Sequence, residues 1–327
     1  MRQAGRALPE FRAIRARASL VDITRDPALC AEVTLQPVRR LGVDAAILFA
    51  DITTPLEGLG VDVEIRPGVG PVIERPIRSA ADVARLRPFE PEASVGSLLE
   101  AIRLVRAASD VPLIGFAGAP FTLACYLVEG GPSREFRRTK TFMHAEPVAW
   151  ASLLDLLTEA TRRYLAAQAA AGVQAVQVFD SWVGNLSPLD YDRGVAPWMR
   201  RLFDGLAPLG IPTIHFGVGT AGILANLAAA GGDVIGLDWR VGLADGCDRV
   251  GHDRGVQGNL DPTLLLGPFE AASEGARWVL DQAAGRPGHI FNLGHGVPPE
   301  TDHDDLARLV DLVHEYAALP VAPGSAR

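Results

Sequence analysis

Short runs of apolar, largely β-branched residues recur along the chain, and each run is bounded by glycine, proline or polar residues. Runs that are apolar almost throughout are typical of strands buried on both faces of a parallel sheet. No eighth run of this kind can be placed in the sequence. The predicted strands cover residues 43–51, 111–118, 173–181, 211–217, 233–239, 255–261 and 289–296.

Segments rich in alanine and leucine separate these runs, and the clearest of them cover residues 147–170 and 302–318. Strands that alternate with helices form right-handed βα units. Seven or eight such units over ~280 residues predict an α/β fold, a (β/α)8 TIM-type barrel, with a doubly wound open sheet as the alternative. No glycine-rich G-x-G-x-x-G segment follows the first strand, which weakens a dinucleotide-binding interpretation.

One segment departs from this alternation. Residues 61–77 alternate apolar and charged positions around a Pro-Gly turn, which predicts a β-hairpin inserted after the first strand. No linker-like stretch divides the chain. We therefore expect a single barrel domain over residues 1–327, with residues 320–327 as a disordered tail.

Composition narrows the class of protein. With 48% hydrophobic and 21% charged residues the chain resembles an ordinary globular protein, and no apolar stretch approaches the ~20 residues that span a bilayer. The N-terminus has no apolar secretory core, so we expect a cytoplasmic protein with no membrane partner. The widely spaced Cys30, Cys125 and Cys247 favour reduced, buried thiols over disulfides or a zinc site.

Charge is distributed unevenly. The net charge of −8 disfavours a nucleic-acid partner, because binding to phosphates needs a basic surface. Residues 1–40 nevertheless hold eight arginines against four acidic residues, a local charge of +4. This excess favours either a site for an anionic ligand or a solvated helix face.

Polar residues are common where the predicted strands end, and the carboxyl ends of barrel strands are where functional residues collect. Each also has a structural interpretation, because an aspartate or serine at such a junction caps a helix and a lone tyrosine packs in a core. Histidine and cysteine spacing fits no tetrahedral zinc site, so we expect no metal. The strand-end residues are Asp51, Tyr126, Asp180, Ser181, Asp238, Trp239, Asn259, Asp261, Asn292 and His295.

Seven motifs lie along the chain: MRQAGRALPEFR (1–12), AILFADI (46–52), GFAGAPFTLACYLVEGG (115–131), VQVFDSW (176–182), VIGLDW (234–239), QGNLDP (257–262) and NLGHG (292–296). Taken together, they resemble the uroporphyrinogen decarboxylase family. They occur in the family's order and extend over essentially the whole chain. The resemblance implies a cofactor-free, metal-free barrel enzyme, usually a homodimer, that converts the four acetate side chains of uroporphyrinogen III to methyl groups, giving coproporphyrinogen III and four CO2.

The resemblance also implies the site. It implies that residues 1–17 form an arginine-rich substrate loop and that the catalytic residues are Asp51, Arg2 and Arg6. Guanidinium groups bind carboxylates through paired hydrogen bonds, which suits a substrate with eight carboxylates. The implied substrate contacts are Arg2, Gln3, Ala4, Gly5, Arg6, Asp51, Tyr126, Ser181 and His295.

The implied chemistry gives Asp51 an electrostatic role. Its carboxylate can accept the pyrrole N–H groups at the centre of the macrocycle and stabilise the cation that forms when a pyrrole carbon is protonated. The proton donor stays open among Arg2, Tyr126, His295 and a bound water. Deprotonating an arginine at neutral pH costs roughly 8 kcal/mol, so a carboxylate clamp is the first interpretation of Arg2.

Two alternatives remain. A cobalamin-dependent methyltransferase of the same superfamily would hold zinc through histidine and cysteine, typically in an H-x-C pair, and the sequence contains no such pair. A non-catalytic tetrapyrrole-binding protein would follow if the N-terminus were truncated. Family members carry residues before the methionine of the RQAGR motif, so we expect the natural start to lie upstream of Met1.

Overall fold

The computed structural model describes residues 7–66 and 68–317. Seven parallel strands form one sheet, and a two-stranded antiparallel hairpin lies beside it. The strands are β1 (Ala46–Ile47), β2 (Val63–Arg66), β3 (Gly70–Ile73), β4 (Leu113–Gly118), β5 (Ala175–Asp180), β6 (Thr213–Gly217), β7 (Val234–Gly236), β8 (Gly255–Leu260) and β9 (His289–Leu293).

Helices separate the strands of the sheet and cover its outer face. Short 3-10 helices follow β5, β6 and β8, at Val183–Asn185, Thr220–Ile223 and Pro262–Leu266, and another, Ala207–Leu209, precedes β6. The α-helices are α1 (Pro9–Arg15), α2 (Leu20–Arg25), α3 (Pro27–Leu41), α4 (Thr54–Gly58), α5 (Ala80–Val83), α6 (Pro91–Ala108), α7 (Pro120–Glu129), α8 (Arg137–Ala145), α9 (Pro147–Ala171), α10 (Pro188–Gly194), α11 (Ala196–Leu206), α12 (Leu224–Ala229), α13 (Leu243–Val250), α14 (Phe269–Ala283) and α15 (His303–Ala317).

The sheet has the topology of a singly wound barrel. Its strands pair in parallel in the order β1, β4, β5, β6, β7, β8, β9, without the reversal of order that a doubly wound sheet requires. Helix α15 packs against both α14 and α3, and His314 Nε2 lies 3.1 Å from the carboxylate oxygens of Asp44, just before β1. The helical layer therefore continues from β9 around to β1. The predicted TIM-type α/β fold is confirmed.

Strand β1 pairs with β4 over a short distance only, and then the two strands separate. The backbone N–H of Phe49 donates to Thr34 Oγ1 of α3 at 3.0 Å. On the other side, Gln168 of α9 bonds both the N–H and the carbonyl of Phe116, each at 3.0 Å. Helix side chains thus replace the missing ladder, and the sheet opens next to Asp51.

The outer segments agree with most of the predicted boundaries. The segment 61–77 contains the hairpin β2–β3, in which Val63 faces Ile73. Within residues 1–17, predicted as a substrate loop, Pro9–Arg15 form helix α1. Residues 1–6 and the predicted tail 320–327 lie outside the described residues.

The predicted state of the thiols is confirmed, because Cys30, Cys125 and Cys247 are all buried and unbridged. Burial raises the pKa of Cys30 to about 12, so this thiol stays protonated at neutral pH. Within the described ranges, none of the helices combines the length and apolar character that a bilayer crossing demands.

Candidate active site

A cavity of about 1140 Å³ opens where the strands of the sheet end. It is lined by Asp51 after β1, Tyr126 of α7, Ser181 after β5 and His295 after β9. These four residues were predicted from separate motifs and come from four different loops or helices. Parallel strands bring their carboxyl ends to one edge of the sheet, and this is why residues so distant in sequence share one cavity.

Three phenylalanines lie at the base of the cavity. Phe179 packs edge-to-face against Phe116 and Phe216, with ring centroids 5.5 Å and 5.9 Å apart. All three residues line the cavity and lie in the last three residues of β4, β5 and β6. They give the cavity an apolar floor, against which charged groups interact more strongly than in water.

Asp51 is held by the residues that follow it. Its Oδ1 accepts hydrogen bonds from the backbone N–H of Thr53 at 2.9 Å and from Thr53 Oγ1 at 2.6 Å. Its own N–H donates to Thr54 Oγ1 at 3.3 Å. Among the described residues, no donor reaches Oδ2. The turn therefore fixes the carboxylate while leaving one of its oxygens able to accept hydrogen bonds from a ligand.

Tyr126 belongs to an aromatic wall of the cavity. Its ring lies 4.3 Å from the ring of Trp182, which stacks on Phe136 at 4.9 Å. Phe136 adopts a left-handed conformation with φ of 50° and is the N-cap residue of helix α8. The wall therefore depends on contacts among α7, the segment that follows β5 and the N-cap of α8.

His295 rests on a short chain of contacts from the loop after β7. Its ring meets that of Trp239 edge-on, with centroids 6.2 Å apart. The guanidinium of Arg240 lies 3.9 Å above the Trp239 ring and donates to Asp238 at 2.7 Å. Asp238, Trp239 and Arg240 thereby support His295 without being lining residues themselves.

Neighbouring strand-end residues separate into two groups. Ser181 lines the cavity, whereas Asp180 lies fully buried and turned toward α7, where Thr122 Oγ1 donates to its Oδ1 at 3.3 Å. Asn259 is also buried and donates to the backbone carbonyls of Asp238 and Val241. Several polar residues at strand ends therefore hold loops in place rather than contacting the cavity.

The sequence analysis did not predict the aromatic floor or the part of Trp182 in the cavity lining. It also missed the ion pair between Arg25 and Glu57, two lining residues whose N–O distance is 3.3 Å. An aromatic residue near the end of three successive strands was a readable signal for the floor. Nothing local indicated the Arg25–Glu57 pair, because it joins α2 to α4.

The remaining predicted site residues lie outside the described part of the chain. They are Arg2, Gln3, Ala4, Gly5 and Arg6. Among the described residues that follow them, Phe11 of α1 lines the cavity and packs against Phe49, with ring centroids 5.6 Å apart.

Histidine and cysteine, the zinc ligands of the methyltransferase alternative, are sparse around the cavity. Its described lining contains one histidine, His295, and no cysteine. The side chains of Asp302, His303 and Asp304 could converge on an ion, but they do not belong to that lining. A zinc centre of histidine and cysteine would need ligands that this lining does not contain.

Comparisons with known proteins agree along the whole chain. Residues 1–316 match the family model described as uroporphyrinogen decarboxylase (URO-D). Proteins named uroporphyrinogen decarboxylase from Streptomyces griseus and Thermus thermophilus are 56% and 54% identical, and the alignments cover 97% of this chain in each case. They cover 87% and 93% of those relatives.

Solved structures with similar folds are more distant in sequence. A methyltransferase from Methanosarcina mazei has a TM-score of 0.73 and 20% identity over 91% of this chain and 90% of its own. A B12-independent methionine synthase from Shewanella has a TM-score of 0.61 and 14% identity over 92% of each chain. At these identities the similarity shows the fold alone.

Proposed function

The chain belongs to the uroporphyrinogen decarboxylase family, and on this premise we propose that it decarboxylates uroporphyrinogen III in the cavity at the strand ends. The four acetate side chains become methyl groups, and coproporphyrinogen III and four CO2 are released without a cofactor or metal. One observation carries the proposal. Asp51, Tyr126, Ser181 and His295, each implied by its motif, line the same cavity.

The size and lining of the cavity suit a tetrapyrrole. Its volume of about 1140 Å³ lies just above the range of about 300–1,000 Å³ that is usual for small-molecule sites, as a large ligand requires. The phenylalanine floor and the Trp182–Tyr126 wall offer apolar contact to the pyrrole rings, while the peripheral carboxylates need polar partners at the rim. We assign the hydroxyls of Tyr126 and Ser181, together with His295, to those carboxylates, and Arg2 and Arg6 to the same task.

Asp51 supplies the electrostatic part of the reaction. Its Oδ2 accepts pyrrole N–H groups, and its charge stabilises the iminium-like cation that forms when a proton adds to the ring carbon beside the acetate-bearing position. The electron pair of the breaking carbon–carboxylate bond then moves into this cation, and CO2 leaves. The exocyclic carbon takes up a proton to become a methyl group and the ring carbon loses its proton, so each of the four decarboxylations consumes one proton.

The experiment that tests the function uses the purified protein and uroporphyrinogen III under anaerobic conditions, with and without EDTA. We expect coproporphyrinogen III in both samples, measured by chromatography after oxidation to porphyrins. Porphyrinogen binding without CO2 release would identify a binding protein instead. Turnover that EDTA abolishes would contradict a metal-free reaction.

Two further statements concern the assembly and the location of the protein. We propose that two copies of the chain form a homodimer and that the protein works in the cytoplasm. Sedimentation velocity at micromolar concentration tests the first statement, and a monomer that retains full activity would contradict it. Fractionation of the source cells tests the second.

Thr53 offers a direct test of the Asp51 turn. Thr53→Val removes the hydroxyl that donates to Asp51 Oδ1 at 2.6 Å and keeps the backbone donor and the side-chain shape. A hydrogen bond to a charged group contributes ~1.5–3 kcal/mol, so we expect kcat/KM to fall by about tenfold. Steady-state kinetics with uroporphyrinogen III measure it.

The control for this variant is Thr263→Val. Thr263 Oγ1 donates to Asp261 Oδ1 at 2.7 Å in the same Asp-x-Thr turn, but neither residue lines the cavity. We expect unchanged kinetics there. Equal losses in the two variants would show that the turn affects stability and not the reaction.

A further inference from the structure

A group of buried polar side chains lies behind the cavity, between the sheet and its helices. Asp180 of β5, His215 of β6 and Tyr191 of α10 are each 0% exposed. Asp180 Oδ2 and His215 Nε2 are 3.7 Å apart, and neither atom has a hydrogen-bond partner among the described residues. The hydroxyl of Tyr191 is also unpartnered there.

Such a group is costly to bury. Removing a carboxylate from water without full hydrogen bonding destabilises the folded state by several kcal/mol, and apolar residues would fill the same space more favourably. Asp180 Oδ1 does accept a hydrogen bond, from Thr122 Oγ1 at 3.3 Å. His215 Nδ1 contacts the carbonyl of Gly231 at 3.2 Å, which leaves Nε2 directed at Asp180. An apolar residue at position 180 could fill this space but could not accept the hydrogen bond of Thr122.

Asp180 links the two elements that carry Tyr126 and Ser181. Thr122 and Tyr126 are four residues apart in α7 and so lie on the same side of that helix. Ser181 directly follows Asp180, and because successive strand side chains point to opposite faces, Asp180 faces the helices while Ser181 lines the cavity. The next residue, Trp182, touches the Tyr126 ring at 4.3 Å.

We propose that Asp180 is a positioning residue. Its buried carboxylate accepts the hydrogen bond of Thr122 and faces His215 Nε2 at 3.7 Å, and in this position it fixes the Tyr126 side chain relative to Ser181. Asp180 does not touch the substrate. Its effect on catalysis passes through the two hydroxyls, which must meet carboxylates of one rigid macrocycle at the same time. This assignment rests on the proposed function for its kinetic consequences, whereas the geometry it describes exists without substrate.

The kinetic test compares Asp180→Asn with a matched aspartate at the other end of the barrel. Asp233 Oδ2 accepts from the N–H and Oγ1 of Thr213, both at 2.8 Å, at the amino ends of β6 and β7. We expect Asp180→Asn to lower kcat/KM about tenfold and Asp233→Asn to leave it within twofold. Equal effects of the two substitutions would overturn the proposal.

Coupling to Tyr126 separates positioning from general stability. If Asp180 acts through Tyr126, Asp180→Asn in a Tyr126→Phe background should lower kcat/KM less than twofold further, while the losses in melting temperature still add. The same tenfold factor in both backgrounds would contradict the proposal. Thr122→Val, which removes the donor to Asp180, gives the same pattern and replaces Asp180→Asn if that variant does not fold.

A spectroscopic measurement tests the geometry without turnover. The chain has four tyrosines, so 3-fluorotyrosine labelling gives a simple 19F spectrum in which Tyr126→Phe identifies one resonance. That resonance senses the Trp182 ring and should shift in Asp180→Asn but not in Asp233→Asn. An unmoved resonance would overturn the positioning role even if the wild-type protein is fully active. An inactive wild-type protein with the expected shift would instead contradict only the proposed function.

Discussion

Asp51→Asn is expected to abolish decarboxylation, with kcat lowered by about 1000-fold, while uroporphyrinogen III still binds. Asparagine has the shape of aspartate, and its Oδ1 can still accept from the N–H and Oγ1 of Thr53. The turn and the cavity wall are therefore retained. What is lost is the negative charge next to the macrocycle, and that charge is needed most when the ring is protonated and CO2 leaves.

Binding and chemistry respond differently because the ground-state substrate is a polyanion. Removing one carboxylate from the cavity relieves repulsion, so the affinity of Asp51→Asn should stay within a few-fold of wild type. Single-turnover CO2 release measures the chemical step, and anaerobic titration monitored by tryptophan fluorescence measures binding. Near-normal turnover in Asp51→Asn would remove the aspartate from the mechanism.

Asp261→Asn is the matched control. Asp261 Oδ1 accepts from the N–H of Thr263 at 2.9 Å and from its hydroxyl at 2.7 Å, as Asp51 does from Thr53. It follows β8 at the same edge of the sheet but does not line the cavity. Its replacement by asparagine makes the same change of charge and should leave turnover unchanged. A large loss here would point to the total charge near the strand ends.

The strands could be predicted because burial on both faces makes their sequences almost continuously apolar. Residues 173–181 predicted a strand, and β5 occupies Ala175–Asp180. The first run, residues 43–51, gives only Ala46–Ile47 in the ladder. Its later part bonds to side chains of α3, and Gln168 of α9 takes the facing position on β4. Because these side chains belong to helices far away in the sequence, no local pattern predicts that they replace the strand–strand hydrogen bonds.

In the candidate site, too, some residues could be predicted from the sequence and others could not. Asp51, Ser181 and His295 could be placed because parallel strands end at one edge, which is a property of the fold class. The opposite directions of Asp180 and Ser181 follow from the two-residue period of a strand. The wall formed by Trp182 and Phe136 could not be predicted, because it joins residues 46 positions apart through loops with no periodic pattern.

Arg2→Ala and Arg6→Ala are each expected to weaken binding of uroporphyrinogen III by about 10- to 100-fold. A charge-assisted hydrogen bond contributes ~1.5–3 kcal/mol, and 1.4 kcal/mol corresponds to a factor of ten. Both residues lie outside the described part of the chain, but Phe11 of α1 lines the cavity. Arg6 precedes Phe11 by five positions, a length of chain that spans at most ~18 Å when fully extended.

Arg39→Ala separates contact from total charge. It removes the same single positive charge from residues 1–40, yet Arg39 pairs with Glu32 at 2.7 Å on α3 and does not line the cavity. Its affinity for substrate should stay within twofold of wild type, measured by anaerobic titration at low and physiological salt. The Debye length is ~8 Å at physiological salt, so a loss of affinity caused by long-range charge disappears there, whereas a loss caused by a missing direct contact persists.

Arg6→Lys should recover only part of the affinity, because an ammonium group cannot make the paired hydrogen bonds of a guanidinium. Equal losses in Arg39→Ala and Arg6→Ala would assign the arginines to attraction of the substrate rather than to its binding.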